Sequence, residues 1–248
     1  MKFENTEVWG FEHALRGMRN PMESWDKSDF EVNSCDWCDG WLELNKCQKC
    51  VDVFHGSMYI VGKRDLKLAK KLIRAGGEHR KFMRQIFVSV DITAPIYWWK
   101  EFDTYKVGTV ANSTSTMHKL ANTPITADCF ETDDYEDKLD YDGQILGDVM
   151  EKHIEFLEKM RLKYLETKDK RYWKELIRWL PESWLQKRTV TMNYENIYSM
   201  VRQRKNHKLN EWSGIDNPDT PNFMSWAKGL PLARNLIFID MQDKESND

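Results

Sequence analysis

In "RQIFVSVDITAP", Ile86, Val88, Val90 and Ile92 alternate with Ser89, Asp91 and Thr93, the two-residue period of a half-buried strand that Pro95 should end. A helical period takes over on either side. In "RDLKLAKKLIRAGG", Leu66, Ala69, Leu72 and Ile73 recur at helical intervals, and Gly76-Gly77 supplies a stop. "IYWWKEFDTYK" reads as a helix that turns its aromatics inward. Leu146, Val149, Met150, Phe156, Leu157, Met160 and Tyr164 mark a long amphipathic helix, and "DKRYWKELIRWLP" a further one closed by Pro181. Nearer the start, "TEVWGF" reads as a short strand and "EHALRGMRNP" as a helix stopped near Pro21. From Val107 to Thr126 the chain turns to Gly, Ser, Thr and Asn, which suits a loop that meets a ligand through hydroxyls and backbone amides. The acidic "DCFETDDYEDKLDYDG" reads as a solvated linker or a lid. The tail 241–248, "MQDKESND", reads as disordered.

One stretch carries a conflict within its own pattern. In "TMNYENIYSMVRQRKNH", Asn193 suits a helix N-cap, with Met192 stapled against Ile197. Ile197, Met200 and Val201 then form one apolar stripe, and Arg204 falls one turn further along it. An arginine on an inward face implies an anion or acceptor opposite it, because burying an unpaired guanidinium costs several kcal/mol, in the range of about 3–5. Two plainer explanations compete: the side chain snorkels at the helix end, or it pairs with a core carboxylate.

The totals narrow the class. A chain of 248 residues with 41% hydrophobic and 12% aromatic content can bury a core, as one large domain or two small ones. Lys plus Arg (37) against Asp plus Glu (40) gives a formal charge of -3, so no global basic field recommends DNA, RNA or an anionic membrane, and any anion site must be local. No apolar run has signal-peptide or membrane-spanning length, so a cytoplasmic protein with no membrane partner is expected.

Cys35-Asp-Trp-Cys38 and Cys47-Gln-Lys-Cys50 form a paired CxxC arrangement. Each such turn aims two thiolates at one point, and two turns supply the four soft ligands of a closed, structural zinc site. Redox-active thiols and disulfides are the rival readings. Cys129 stands alone.

Three stretches taken in order resemble the flavin-dependent thymidylate synthase family. The first runs from Asp65 to Ile96: helix, "GG.H", alternating strand and "API". The second is the polar run after it. In the third, Leu180-Pro181, Lys187, Thr191-Met192-Asn193 and Arg204 match the family's Leu-Pro, a basic residue six positions after the Pro, Thr-Val-Asn, and an Arg eleven positions after that Asn. The resemblance implies an α+β fold with a central, mostly antiparallel sheet flanked by helices. It would fill residues 1–240 as a single domain; residues 34–53 lie outside the family pattern and read, from their cysteine spacing, as an inserted four-cysteine zinc knuckle.

It also implies conversion of dUMP to dTMP with methylenetetrahydrofolate, FAD and NADPH in a homotetramer. Reduced flavin would supply the hydride and relay the carbon unit, leaving the protein to position and polarise the uracil ring. Carried over, Arg204 becomes the catalytic and substrate-binding group, with Lys187, Lys106 and Ser115 as further substrate contacts. Asn193, Thr104, Tyr105 and His207 become flavin contacts.

The departures are as definite as the matches. Where the family signature has Arg-His-Arg, this chain has Thr104-Tyr105-Lys106, its glutamate becomes Ser113, and its Ser-x-Arg-Tyr becomes Ser115-Thr116-Met117-His118. After the third motif's Asn, the family's Ala-Arg becomes Tyr194-Glu195, a charge reversal. The alternative expectation is therefore a non-catalytic nucleotide-binding or protein-interaction module on the same fold, or a relative acting on a different pyrimidine nucleotide.

Overall fold

In the computed structural model, residues 1–33, 51–54, 57–133 and 135–241 are described. In chain order the elements are β1 (Lys2–Trp9), α1 (Phe11–Gly17), β2 (Glu31–Asn33), β3 (Val51–Phe54), β4 (Ser57–Ile60), α2 (Lys63–Arg74), β5 (Phe87–Pro95), α3 (Ile96–Phe102), β6 (Val110–Ser113) and α4 (Thr116–Lys119). After them come β7 (Asp140–Tyr141), β8 (Gln144–Ile145), α5 (Leu146–Thr167), α6 (Lys170–Arg178), β9 (Leu185–Asn193), α7 (Tyr194–Arg204), α8 (Asn210–Ser213), α9 (Phe223–Lys228) and α10 (Ala233–Leu236). Four strands hydrogen-bond in the order β1-β5-β9-β6, and two smaller sheets, β2-β4-β3 and β7-β8, are antiparallel. The cysteine quartet Cys35, Cys38, Cys47 and Cys50 and the tail beyond Met241 lie outside the described residues. Among the described residues, no helix is long and apolar enough to cross a membrane.

The chain divides into two compact units. One comprises Met1–Lys2, Asp91–Thr104 and Ala111–Thr189. Its α3 buries Trp98, Trp99 and Phe102, with the Trp98 and Phe102 rings stacked at 5.3 Å. A second cluster gathers Leu120, Ile125, Phe130, Leu157 and Leu176 around the packed pair α5 and α6. The left-handed Lys168 (φ 56°) ends α5, and Asp169 caps α6 by accepting from the Arg171 amide at 2.9 Å. Of the apolar positions expected to face inward along α5, only Leu157 is fully buried, and Val149 remains 43% exposed. Buried Arg161 and its neighbour Glu158 tie the helix to the 121–125 segment, Arg161 Nη1 donating to the Ala121 carbonyl at 3.1 Å and Glu158 accepting from the Ile125 amide at 2.9 Å.

The other unit comprises Phe3–Val90, Tyr105–Val110 and Val190–Asp248. Ile86, Val88 and Val90 are fully buried, as are Val190 and Met192 on β9. In α2, Ala69 and Ile73 are buried, whereas Leu66 and Leu72 are only half-buried. Two expected boundaries differ. The helix α1 stops at Gly17, four residues short of Pro21, where the chain tightens into 3-10 turns. The polar run 107–126 holds β6 and α4 rather than an unbroken loop, because the Thr114 amide donates to the Lys187 carbonyl at 2.9 Å and continues the pairing along β9.

Candidate functional site

The strand β9 runs directly into α7, and Asn193 is the hinge residue. Its side-chain oxygen accepts from the Asn196 amide at 3.0 Å while Asn196 Oδ1 accepts from the Asn193 amide at 3.1 Å, a reciprocal capping box. Asn196 Nδ2 also donates to the Val107 carbonyl at 2.7 Å. Next to it, Gly108 has φ 82°, and a Cβ there would sit 3.1 Å from both Asn193 Nδ2 and Asn196 Oδ1. Only glycine fits that approach without strain. The cap thus fixes both the first turn of α7 and the 107–108 turn.

Glu195 in the first turn explains the charge reversal seen in the sequence. It accepts from Arg80 Nε at 3.0 Å and also pairs with Arg84. A carboxylate at a helix N-terminus is favoured by the helix dipole, and two arginines from elsewhere in the unit answer its charge. Arg80 lies 4.6 Å from the Tyr198 ring centroid, and Arg202 lies 3.3 Å from it. Arg202 Nη1 donates to the Ile237 carbonyl at 2.8 Å, while its buried Nη2 has no hydrogen-bond partner among the described residues. Burial pulls the Arg202 pKa below the ordinary arginine value, opposed by the charges of Tyr198 and Asp240.

At the C-terminal end of α7, Ile197, Met200 and Val201 are fully buried and Arg204 is half-buried. Arg204 Nε donates to Tyr105 Oη at 2.8 Å, and that phenol reaches Gln203 Oε1 at 3.1 Å. The guanidinium carbon stands 5.4 Å from the Tyr105 centroid and 5.1 Å from that of Trp212 on α8. His207 belongs to the same group: its ring lies 6.4 Å from Trp212, and its Nδ1 accepts from the Leu209 amide at 3.1 Å. Of the sequence candidates, the fold brings Arg204, Tyr105 and His207 together. Lys106 is exposed, and Thr109 turns its hydroxyl onto the Tyr105 carbonyl at 2.8 Å.

The remaining candidates belong to the other unit. Lys187 pairs with Asp91 at 3.2 Å, and Thr189, two residues along the same strand face, donates to Asp91 at 2.6 Å. On the opposite face, Arg188 reaches Asp103 at 2.8 Å and sits 4.2 Å over the Trp99 ring. Thr104 donates its hydroxyl to the Glu101 carbonyl at 2.7 Å, and Ser115 is half-buried with its carbonyl accepting from the Lys119 amide at 3.0 Å.

The same unit frames a cavity of about 550 Å³ against Ile125, Met150 and Ile154. Its other lining includes Asp137, Glu151, Glu155 and Glu158. Such a rim repels nucleotide phosphates, so size alone does not make it a nucleotide site.

Sequence reasoning missed Trp212 and Arg188. Trp212 sits on a separate short helix, where no periodicity ties it to Arg204, and Arg188 stands next to Lys187 on β9 with no motif position of its own. The alternation of β9 puts the two on opposite faces and separates their partners. Among the described residues, no group of three or more His, Cys, Asp or Glu is placed to hold a metal. The Cys129 thiol is free and half-buried.

No protein-family model matches the sequence, and no curated protein matches it. Solved structures do match in fold. One is the flavin-dependent thymidylate synthase ThyX from Helicobacter pylori complexed with FAD and dUMP, with TM-score 0.59, 13% identity, and coverage of 97% of this chain and 99% of that one. A second structure of Helicobacter pylori thymidylate synthase X, with FAD and dUMP, gives TM-score 0.58 and 13% identity over 97% of this chain and 98% of that one. At this identity the likeness concerns the fold: helices and antiparallel sheet arranged in the way of these enzymes.

Proposed function

We propose that this chain is a flavin-dependent enzyme of the thymidylate synthase type, a soluble homotetramer that binds FAD and a pyrimidine nucleotide. In this reading it transfers a one-carbon group to the pyrimidine, with methylenetetrahydrofolate as donor and NADPH as reductant. The observation that carries the reading is the group formed by Arg204, Tyr105, His207 and Trp212 at the end of α7, in a chain whose fold is shared with two thymidylate synthase structures. A guanidinium packed on the buried Trp212 and held beside the half-buried Tyr105 ring suits a ligand that is both anionic and flat, with Tyr105 offering the accessible aromatic surface. Those are the two properties of a nucleotide and of a flavin. Arg204 would bind and polarise the pyrimidine, with Lys106 as a further nucleotide contact. Tyr105, His207 and Asn193 would contact the flavin. The chemistry of four thiolates fits zinc, which Cys35, Cys38, Cys47 and Cys50 would hold as a structural ion.

The test is direct. Purified protein incubated with FAD and desalted should retain flavin absorbance, and dUMP should then bind in calorimetry. A preparation that stays colourless overturns the flavin half of the reading.

One observation favours a second reading, a non-catalytic nucleotide-binding or protein-interaction module on the same fold. The positions of the family's Arg-His-Arg are occupied by Thr104, whose hydroxyl is engaged with Glu101, by Tyr105, held by Arg204, and by exposed Lys106. Rescue of a thymidine auxotroph separates the two, since a module without turnover leaves the cells unable to grow.

A further inference from the structure

The whole-chain charge of -3 is a sum, and a sum is blind to the face on which charges lie. The helix α2, KRDLKLAKKLIR, carries Lys63, Arg64, Lys67, Lys70, Lys71 and Arg74 against a single acid, Asp65. That acid is turned inward. Its side chain is fully buried, and it accepts from Arg19 Nε at 2.7 Å, from the Ser28 hydroxyl at 2.7 Å and from the Asp29 amide at 3.1 Å. Asp29 in turn caps the helix by accepting from the Arg64 and Asp65 amides at 2.8 and 2.9 Å. Asp65 and Asp29 are thereby committed to the helix start and the interior.

The outer face is cationic along its whole length. At about 100° per residue, Lys63, Lys67, Lys70, Lys71 and Arg74 fall within an arc of about 100°. Lys70 is half-exposed and the other four are exposed. Arg74 meets Asp240 at 3.1 Å in a pair whose members are 58% and 50% exposed, a contact weak enough to exchange for another anion. No hydrogen bond or ion pair among the described residues engages the four lysines.

We propose that this ladder binds the sugar-phosphate backbone of a nucleic acid strand, an interaction separate from the nucleotide reading above and independent of it. The argument is charge spacing. At about 1.5 Å of rise per residue the ladder is roughly 17 Å long, one cation per about 4 Å, and a nucleic acid strand presents one phosphate per about 3.4 Å of axis. The apolar residues of α2 argue against an anionic membrane as the occupant. Ala69 and Ile73 are buried in the fold and Leu66, Leu68 and Leu72 are half-buried, so no exposed apolar edge borders the lysines to enter a bilayer. Because lysine ammoniums are point charges without a base-reading geometry, the contact would be independent of sequence.

The experiment uses the full chain and fluorescently labelled oligonucleotides, single-stranded and duplex, with anisotropy read across a salt series. Wild type should bind at about 50 mM salt, with log affinity falling against log salt at a slope of about -3 for four to five contacts on a single strand. The variant Lys63→Gln, Lys67→Gln, Lys70→Gln, Lys71→Gln should bind at least tenfold more weakly with a much shallower slope, while keeping the wild-type melting temperature. The matching Lys→Arg variant should retain binding. Failure of wild type to bind either oligonucleotide overturns the proposal, as does an unchanged affinity in the glutamine variant. Equal or tighter binding to polyglutamate or to phosphatidylserine vesicles also overturns it, by assigning the ladder to an acidic protein or a membrane. Flavin retention does not enter any of these outcomes, so the ladder and the enzyme reading fail separately.

Discussion

Arg204 and Tyr105 are 99 positions apart in the chain, yet the arginine Nε donates to the phenol oxygen at 2.8 Å. The contact holds a cation on the inner stripe of α7 with an aromatic ring from the 105–110 segment beside it. Arg204→Ala is expected to weaken dUMP binding by about 1.5–3 kcal/mol, the scale of a hydrogen bond to a charged group, which is roughly 10- to 100-fold in Kd. Calorimetry checks it, and an affinity equal to wild type removes Arg204 from the site.

The capping box predicts a stability effect that does not depend on any ligand. Asn193→Ala should cost about 1–2 kcal/mol, because the Asn196 amide loses its acceptor at a position only 8% exposed. Asn193→Asp keeps the acceptor and should cost less. Thermal melts in the absence of nucleotide measure both, and equal melting temperatures for Ala and wild type would show that the cap contributes nothing.

Gly108→Ala tests the neighbouring turn. With φ at 82° and an added Cβ 3.1 Å from Asn193 and Asn196 side-chain atoms, alanine should destabilise by about 1–2 kcal/mol. The contrast is Gly143→Ala on the β7–β8 turn, where a Cβ meets nothing within 4 Å although φ is 77°. Only the backbone strain remains there, so the smaller loss should appear in that variant in denaturant melts.

Glu158 gives the pH dependence. Its hydrogen bond from Arg161, helped by one from the Ile125 amide at 2.9 Å, holds its carboxyl below the usual glutamate range. A depressed carboxylate contributes stability that is present above the unfolded value, about 4.3, and is lost as pH falls through the lower folded value. Wild type should therefore lose stability below about pH 4.3 more steeply than Glu158→Gln, which has no proton to gain. Identical acid limbs in the two proteins would count against this pair as the cause.

The cysteine quartet predicts a metal content. One zinc per chain is expected by elemental analysis, and Cys35→Ser with Cys38→Ser should abolish it. Metal-free protein carrying two disulfides in its mass spectrum would exclude the zinc site.

Much of the architecture was legible because local periodicity survives folding. The alternation through Val88, Val90 and Ile92 is the buried face of β5, the stripe through Ala69 and Ile73 is the inner face of α2, and Asn193 caps α7. Val149 and the run 107–126 were less readable. Whether an apolar position on α5 is covered depends on what packs there, and Val110–Ser113 becomes a strand because β9 offers it a partner.

By itself the sequence determined which residues could share a face: Arg204 with Ile197 and Val201, and five of the six cations of α2 with one another. Such relations follow from the pitch of a helix and need no partner. Tertiary structure alone decided what stands opposite. Trp212 and Tyr105 come to Arg204 from distant segments, Asp91 takes Lys187, and Arg80 with Arg84 answers Glu195. Those pairings depend on how non-local elements close on one another, and no short-range pattern encodes that closure.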